Sequence, residues 1–302
     1  MSMGLRLFYI FLAACFLLLC ASCSRTHSEP RRGEVSSAQT PGEEPDLAEA
    51  IDDYYSKTVA LTGGQDVHSN ILAKTLRMAE TPEYISNAIQ EAVIASPAFI
   101  MELLMCLGGD PWLRKLVDKL HPLPSDYEPD DLVVLGGDPP KSYRVNRPSL
   151  TLRKAAADSL EEMAAAALAD GVTLVASSAY RSYSYQDEVY SRIVRQMGQA
   201  AADRESARPG HSQHQTGLVL DFGSIDDSFA QTAAGLWMAA NAPRFGWSLS
   251  FPDGYENVTG YRWESWHFRY LGKDLAAFIN RYFDGIQQYG LRFIHEWESH
   301  SD

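Results

Sequence analysis

Ser212, His214, Gly217 and Asp221 lie in the stretch PGHSQHQTGLVLDF, and 43 residues beyond Asp221 come Glu264 and His267 in ESWHFRY. Two histidines and an aspartate make a mononuclear zinc set, because a catalytic zinc takes three protein ligands and keeps its fourth tetrahedral position for water. Glu264 is left free to act as a general base. Neutral imidazoles and one carboxylate bind a divalent ion without cancelling its charge, so bound water reaches a pKa of about 7 and a carboxylate off the metal can take its proton. Asp221 directly follows a turn glycine and the apolar run Leu218-Val219-Leu220. Its charge therefore sits near the core, where only a cation or a hydrogen-bond network makes it tolerable. His211 lies in the same motif and is the alternative ligand to His214, although its place after Pro209-Gly210 suits an exposed loop. The other histidines, His27, His68, His121, His295 and His300, have no acidic partner at ligand spacing and read as structural or surface residues.

Arg181 follows the apolar, β-branched run VTLVASS at 172–178, which places it in a loop at a strand end. A guanidinium is a fixed fork of donors that stays charged, so it can hold a peptide carboxylate or the oxyanion of a tetrahedral intermediate.

Four ordered blocks carry a resemblance: LPSDYEPDDLVVL at 123–135, SAYRSYSYQ at 178–186, the SxHxxGxxxD motif from Ser212 to Asp221, and GYRWESWHFRYLG at 260–272. Over about residues 123–286 the chain resembles the VanY-type D-alanyl-D-alanine carboxypeptidases of the lysostaphin, D-Ala-D-Ala peptidase and hedgehog group. The resemblance implies one zinc per chain on His214, Asp221 and His267, with Glu264 as general base and Arg181 as oxyanion stabiliser. It implies Arg181, Gln186, Ser212 and Trp266 as substrate-binding residues. The implied activity is removal of the terminal D-Ala from peptidoglycan stem peptides. The alternatives are an L,D-carboxypeptidase, a peptidoglycan endopeptidase, or a non-catalytic zinc-stabilised binding module; an intact Glu264 and Arg181 speak against the last. Val219 stands where the family usually has Ala and Ser265 where it often has Pro, and neither change removes a chemical group.

The chain has 302 residues, 45% hydrophobic and 22% charged, enough for one large or two small cores. Its net charge is −13, which argues against a nucleic-acid partner or an anionic membrane surface. Arg6 followed by the apolar stretch 7–20 reads as an export signal over residues 1–22, too short to span a bilayer. Cys20-Ala21-Ser22-Cys23 resembles a lipobox, with Cys23 as the lipidated residue. The expected location is the bacterial cell envelope, with the lipid as the only membrane contact and the protein a monomer. Cys106 alone then remains, so no internal disulfide is available. It sits in an apolar helical run and reads as a buried small hydrophobe.

Residues 23–45 are polar, proline-containing and without apolar period, and read as a tether. Residues 46–121 show helical periodicity broken at Gly63-Gly64, Pro82, Pro97 and Gly108-Gly109, and read as a helical region. The zinc domain is placed at 122–302, after the Pro122-Leu123-Pro124 boundary, and a fragment starting at Leu123 is expected to fold alone. Within it, a helix begins near Leu152 and ends at Gly171, and another covers about 228–241. Short strands are expected at 218–221, 247–251 and 266–270, and one helix at 274–289. The expected fold is α+β: a small antiparallel sheet flanked by helices, preceded by an α-helical N-terminal region.

Overall fold

The computed structural model describes residues 66–137 and 140–299. The export signal, Cys23, the tether, His27 and His300 lie outside the described residues, as does the beginning of the helical region. No single helix among the described residues is long and apolar enough to cross a membrane.

In chain order the elements are α1 (Asp66–Met78), α2 (Glu83–Ala95), α3 (Ala98–Gly108), α4 (Pro111–Arg114), β1 (Leu132–Val134), β2 (Arg144–Val145), β3 (Thr151–Arg153) and α5 (Lys154–Ala169). There follow β4 (Val175–Ser178), α6 (Tyr183–Met197), α7 (Gln199–Glu205), β5 (Val219–Phe222), α8 (Ala233–Asn241) and β6 (Trp247–Leu249). The last are α9 (Glu256–Thr259), β7 (His267–Tyr270), α10 (Lys273–Tyr282) and α11 (Gln287–Ser299), and 3-10 turns cover Gln213–Thr216 and Asp227–Gln231.

The α+β expectation is met, with helices around a five-stranded sheet of order β2-β4-β5-β7-β6 and a separate β1-β3 pair. The sheet is not wholly antiparallel: β2 runs parallel to β4, pairing Arg144 with Val175. A two-residue strand is too short to leave a period in the sequence. β5 is central, and all four of its residues are buried. A strand covered on both faces reads as a continuous apolar run, which makes the one charge in it, Asp221, conspicuous. One core lies between the sheet and α5, whose Ala156, Leu160, Met163, Ala164 and Ala167 form a single buried stripe.

A second core joins the described N-terminal helices to those after β7. Leu72, Leu76, Ile85, Ile89, Phe99, Leu103 and Leu116 pack with Leu275, Phe278, Ile279, Phe283, Phe293, Ile294 and Trp297. Cys106 is buried in this core, and burial pushes its thiol up to about 12, as suits an inert hydrophobe. Arg269, fully buried on β7, donates through Nη2 to the carbonyls of Trp112, Leu113 and Lys115 at 3.2, 3.3 and 2.7 Å. Those are carbonyls in the last turn of α4 and its C-cap, of which Trp112 also accepts from the Lys115 N–H at 3.4 Å. The described residues from Asp66 on accordingly belong to one compact unit, and Pro122 marks a change of motif within it.

The expected helix over 274–289 is two helices. Asp284 and Gly285 both adopt left-handed backbone, φ 52° and 72°, and the Gly285 N–H donates to the Ile279 carbonyl at 3.2 Å, closing α10. The helix expected over 228–241 is likewise a 3-10 turn followed by α8, which Thr232 caps by accepting from the Gly235 N–H at 2.9 Å.

The shared core reverses the expectation for the fragment starting at Leu123, because it would expose the apolar faces of α10 and α11. That fragment should aggregate or melt far below the full chain. Phe99, whose ring contacts Phe278, Tyr282 and Phe293 at 5.2, 4.8 and 5.8 Å between centroids, tests the same point with a full chain. Phe99→Ala should cost about 3–5 kcal/mol in denaturant unfolding. A loss below about 1 kcal/mol would separate the N-terminal helices from the core.

Candidate metal centre

Asp221 and His267 are cross-strand partners on β5 and β7, and Ser178 of β4 pairs with Asp221 on the other side. Register thus puts one ligand beside another without any loop. His214 comes from the turn Gln213–Thr216, capped by Ser212, whose Oγ accepts from the His214 N–H at 3.3 Å. Gly217 then turns the chain into β5 with φ +69°, where a Cβ would lie 3.0 Å from both Arg153 and Leu132 side chains. Only glycine combines that backbone with that lack of room.

His214 Nε2 lies 3.3 Å from Asp221 Oδ2, and His267 Nδ1 lies 3.3 Å from Asp221 Oδ1. One ligand atom from each of the three residues falls within 4.8 Å of the others. Zinc bonds of about 2.0–2.1 Å in a tetrahedron put neighbouring ligand atoms roughly 3.3 Å apart, close to the two nitrogen–oxygen separations, each of which runs to a different Asp221 oxygen. All three side chains are buried, and Asp221 Oδ1 has no hydrogen-bond partner. An orphaned buried carboxylate oxygen flanked by two imidazole nitrogens is the chemistry of a cation site. His214 Nδ1 bonds the Ala179 carbonyl at 2.7 Å, so this nitrogen carries the proton and Nε2 is bare toward Asp221. Glu264 Oε2 lies 3.2 Å from His267 Nδ1, beside the three ligands.

The electrostatics agree. Burial drives His214 down to about 4, against the pull of Asp221. His267 is opposed by the same burial, yet hydrogen bonds to Asp221 and Glu264 outweigh it and raise the imidazole to about 9. Burial would raise the Asp221 carboxyl, and the two histidines more than reverse that, holding it well below the usual range. Without metal, a proton on His267 supplies the positive charge that this carboxylate requires.

Arg181, Gln186, Ser212, His214, Asp221, Glu264, Trp266 and His267 all line one cavity of about 310 Å³. His211 lines it too, but its Nδ1 bonds the Asp118 carbonyl at 2.8 Å and it stands outside the ligand cluster. Arg181 Nη1 donates to Gln186 Oε1 at 2.7 Å and Nη2 to Ser178 Oγ at 3.1 Å. Among the described residues it has no ion pair. The Gln186 amide is fully engaged, since Nε2 donates to the Ala207 carbonyl at 2.6 Å and to Ser206 Oγ at 3.3 Å. Its geometry serves to hold Arg181. Trp266 is buried, with the Arg262 guanidinium 5.3 Å from its ring. Arg262 in turn pairs with Glu205 and Asp227, both at 2.7 Å.

His121 does have an acidic partner: its Nδ1 lies 2.7 Å from Asp118 Oδ1. Sequence reasoning also passed over Gln213, whose Oε1 lies 3.4 Å from His267 Nε2. Its position beside His214 in the motif was the available signal.

A helix-flanked, largely antiparallel sheet presenting His214, Asp221 and His267 with an adjacent glutamate defines the chain as a metallopeptidase-like fold and site. Residues 149–273 match the family model described as VanY, D-alanyl-D-alanine carboxypeptidase. YodJ of Bacillus subtilis (strain 168) is 39% identical over 170 residues, 54% of this chain and 62% of that protein. A D-alanyl-D-alanine carboxypeptidase of Enterococcus faecalis (strain ATCC 700802 / V583) is 29% identical over 177 residues, 56% of this chain and 62% of that one. The solved structure of the LdcB LD-carboxypeptidase superposes with a TM-score of 0.51 at 34% identity, covering 57% of this chain and 85% of LdcB. The chain belongs to the VanY family of D-alanyl-D-alanine carboxypeptidases. Its match spans 62% of the length of the two curated relatives named here. Every ligand, Glu264 and Arg181 fall inside the matched residues; α11 lies beyond them.

The raised His267 pKa fixes a pH dependence. A group held at about 9 when folded and about 6.5 when unfolded contributes stability that is complete below pH ~6.5 and lost as pH rises through ~9. Metal-free protein should therefore lose melting temperature between pH 7 and 9, and saturating zinc, which displaces that proton, should flatten the slope. A metal-free melting temperature that rises over this window would contradict the protonated His267.

Proposed function

We propose that the chain is a zinc-dependent D,D-carboxypeptidase that releases the terminal D-Ala from peptidoglycan stem peptides. The observation that carries this reading is the buried His214, Asp221, His267 set with Glu264 beside it and an Arg181 free of ion pairs in the same cavity. Those three ligands would hold the zinc, which when bound supplies a Lewis acid and makes water acidic enough to attack at neutral pH. Glu264 accepts the proton of the attacking water and passes it to the amine of the departing D-Ala. Arg181, braced by Gln186 and Ser178, faces the carbonyl oxygen as negative charge develops on it. The Ser212 hydroxyl lines the cavity with its proton available to the substrate's free carboxylate. Export to the cell envelope and a lipid on Cys23 complete the proposal, on the strength of residues 1–23 alone. Labelling by a palmitate analogue that persists in Cys23→Ser would remove that anchor.

A second reading is L,D-carboxypeptidase action, which the likeness to LdcB favours. One assay separates the two. Mass spectrometry should show faster release of D-Ala from a pentapeptide ending in D-Ala-D-Ala than from a tetrapeptide ending in one D-Ala, and the reverse order selects the second reading. Glu264→Ala should retain zinc and lose about 10²- to 10⁴-fold in kcat. Activity within a few-fold of the parent would place the base elsewhere.

A further inference from the structure

The two histidines present opposite nitrogens. His214 is oriented by a main-chain carbonyl, whereas His267, turned with Nδ1 toward Asp221 and Glu264, depends on side chains. In the neutral imidazole that could serve as a ligand, Nε2 carries the proton, and among the described residues its hydrogen-bond partner is Gln213 Oε1 at 3.4 Å.

A glutamine amide could as readily turn its NH₂ toward the imidazole and favour the other tautomer. Its orientation is set from further away. The Ser248 carbonyl can only accept, and the Gln287 Nε2 amide donates to it at 3.4 Å. Gln287 Oε1 then faces Gln213 and accepts from its Nε2 at 3.5 Å. Gln213 Oε1 is left toward His267, held there by the Ser250 hydroxyl, which donates to it at 2.8 Å. Ser250 in turn accepts from Gln287 Nε2 at 3.3 Å. Gln213, Ser248, Ser250 and Gln287 are all buried. Because these side chains are buried, one reversed amide would leave donors facing each other.

Gln287 is the first residue of α11, and the left-handed turn at Asp284-Gly285 delivers it to this position. It lies outside the residues that match the family.

We propose that Gln213 and Gln287 are positioning residues for His267, a directional relay from the Ser248 carbonyl that fixes the imidazole with Nδ1 bare, so that α11 is part of the metal centre. The proposal rests on the reading of His214, Asp221 and His267 as zinc ligands. Partners of this kind are typically worth 10- to 100-fold in metal affinity.

Zinc affinity of the full chain, measured by competition with a chromogenic chelator, reads the effect directly, and ¹⁵N NMR of the zinc-loaded protein identifies the metal-bearing nitrogen of His267. Gln213→Leu should weaken zinc about 10- to 100-fold, and Gln213→Glu, which restores an acceptor, should recover it. Gln287→Leu should give a smaller loss, with part of His267 no longer binding through Nδ1. Should Gln213→Leu fail to fold, Gln287→Leu and Ser250→Ala each break one link. Parental affinity together with an unchanged His267 spectrum in Gln287→Leu and Ser250→Ala would overturn the relay. A parent that takes up no zinc would instead overturn the metal reading beneath it.

Discussion

The carboxylate of Asp221 is the constraint around which the rest is arranged. It sits on the central strand of the sheet, 3% exposed, with Oδ1 facing His267 Nδ1 at 3.3 Å. A buried unpaired carboxylate would cost several kcal/mol, so the chain must supply positive charge to it under all conditions. Two histidines stand 3.3 Å away, one delivered by strand register and the other by a glycine-terminated turn. His267 can meet the need with a proton and the pair can meet it with a divalent ion.

Two cores are needed to hold that geometry. The first fixes β5 and β7 against α5. The second lies beyond β7, and Arg269 joins them, reaching from the strand that carries His267 to three carbonyls at the end of α4. Among the described residues its Nε and Nη1 have no hydrogen-bond partner and it has no ion pair; burial lowers its pKa to about 10. A residue that unfavourable in isolation is tolerated because its Nη2 donates to three carbonyls in the last turn of α4 and its C-cap. The N-terminal helices therefore bear on the site through packing, since the face of α10 and α11 they cover belongs to the helices that support β7 and present Gln287.

Much of the site was legible because its residue types are rare in apolar surroundings. A lone aspartate after Leu218-Val219-Leu220, and a second histidine three residues after a glutamate, are visible without a structure. The strands β4, β5, β6 and β7 and the helix α5 followed from their apolar patterns, with ends shifted by a few residues, whereas the β1-β3 pair did not, and Leu152, expected on the helix, lies in β3. What escaped was of two kinds. The two-residue β2 has no period to detect, and the Asp284-Gly285 break was signalled by a turn dipeptide but overridden by the apolar pattern on either side of it. The pairing of the long-range polar partners had no sequence signature: Gln213 stands beside a motif histidine but 74 residues from Gln287, and a buried amide reads like a surface one until its neighbours are known. Gln186 shows the same limit, its type suiting substrate contact while its amide is occupied by Arg181, Ser206 and Ala207. The unity of the two helical regions escaped because an amphipathic face announces that it has a partner without saying which.

The loop that carries Glu264 differs in kind from the strands that carry the ligands. Glu264 is fixed at its own backbone by an N–H bond to the Phe251 carbonyl at 3.0 Å, while its neighbour Ser265 buries a hydroxyl without a partner. Arg262, two residues earlier, is pinned between Glu205 on α7 and Asp227 in the adjoining turn, and its guanidinium lies over Trp266. Metal ligands on adjacent strands are held by the hydrogen-bond ladder, which tolerates little movement. Under the proposed reading, Glu264 must first take a proton and then give it up, which calls for a carboxylate that can shift between two partners. Ion pairs at the rim, where solvent reaches Glu205 and Asp227, hold the loop backbone in place while leaving the Glu264 side chain outside those pairs.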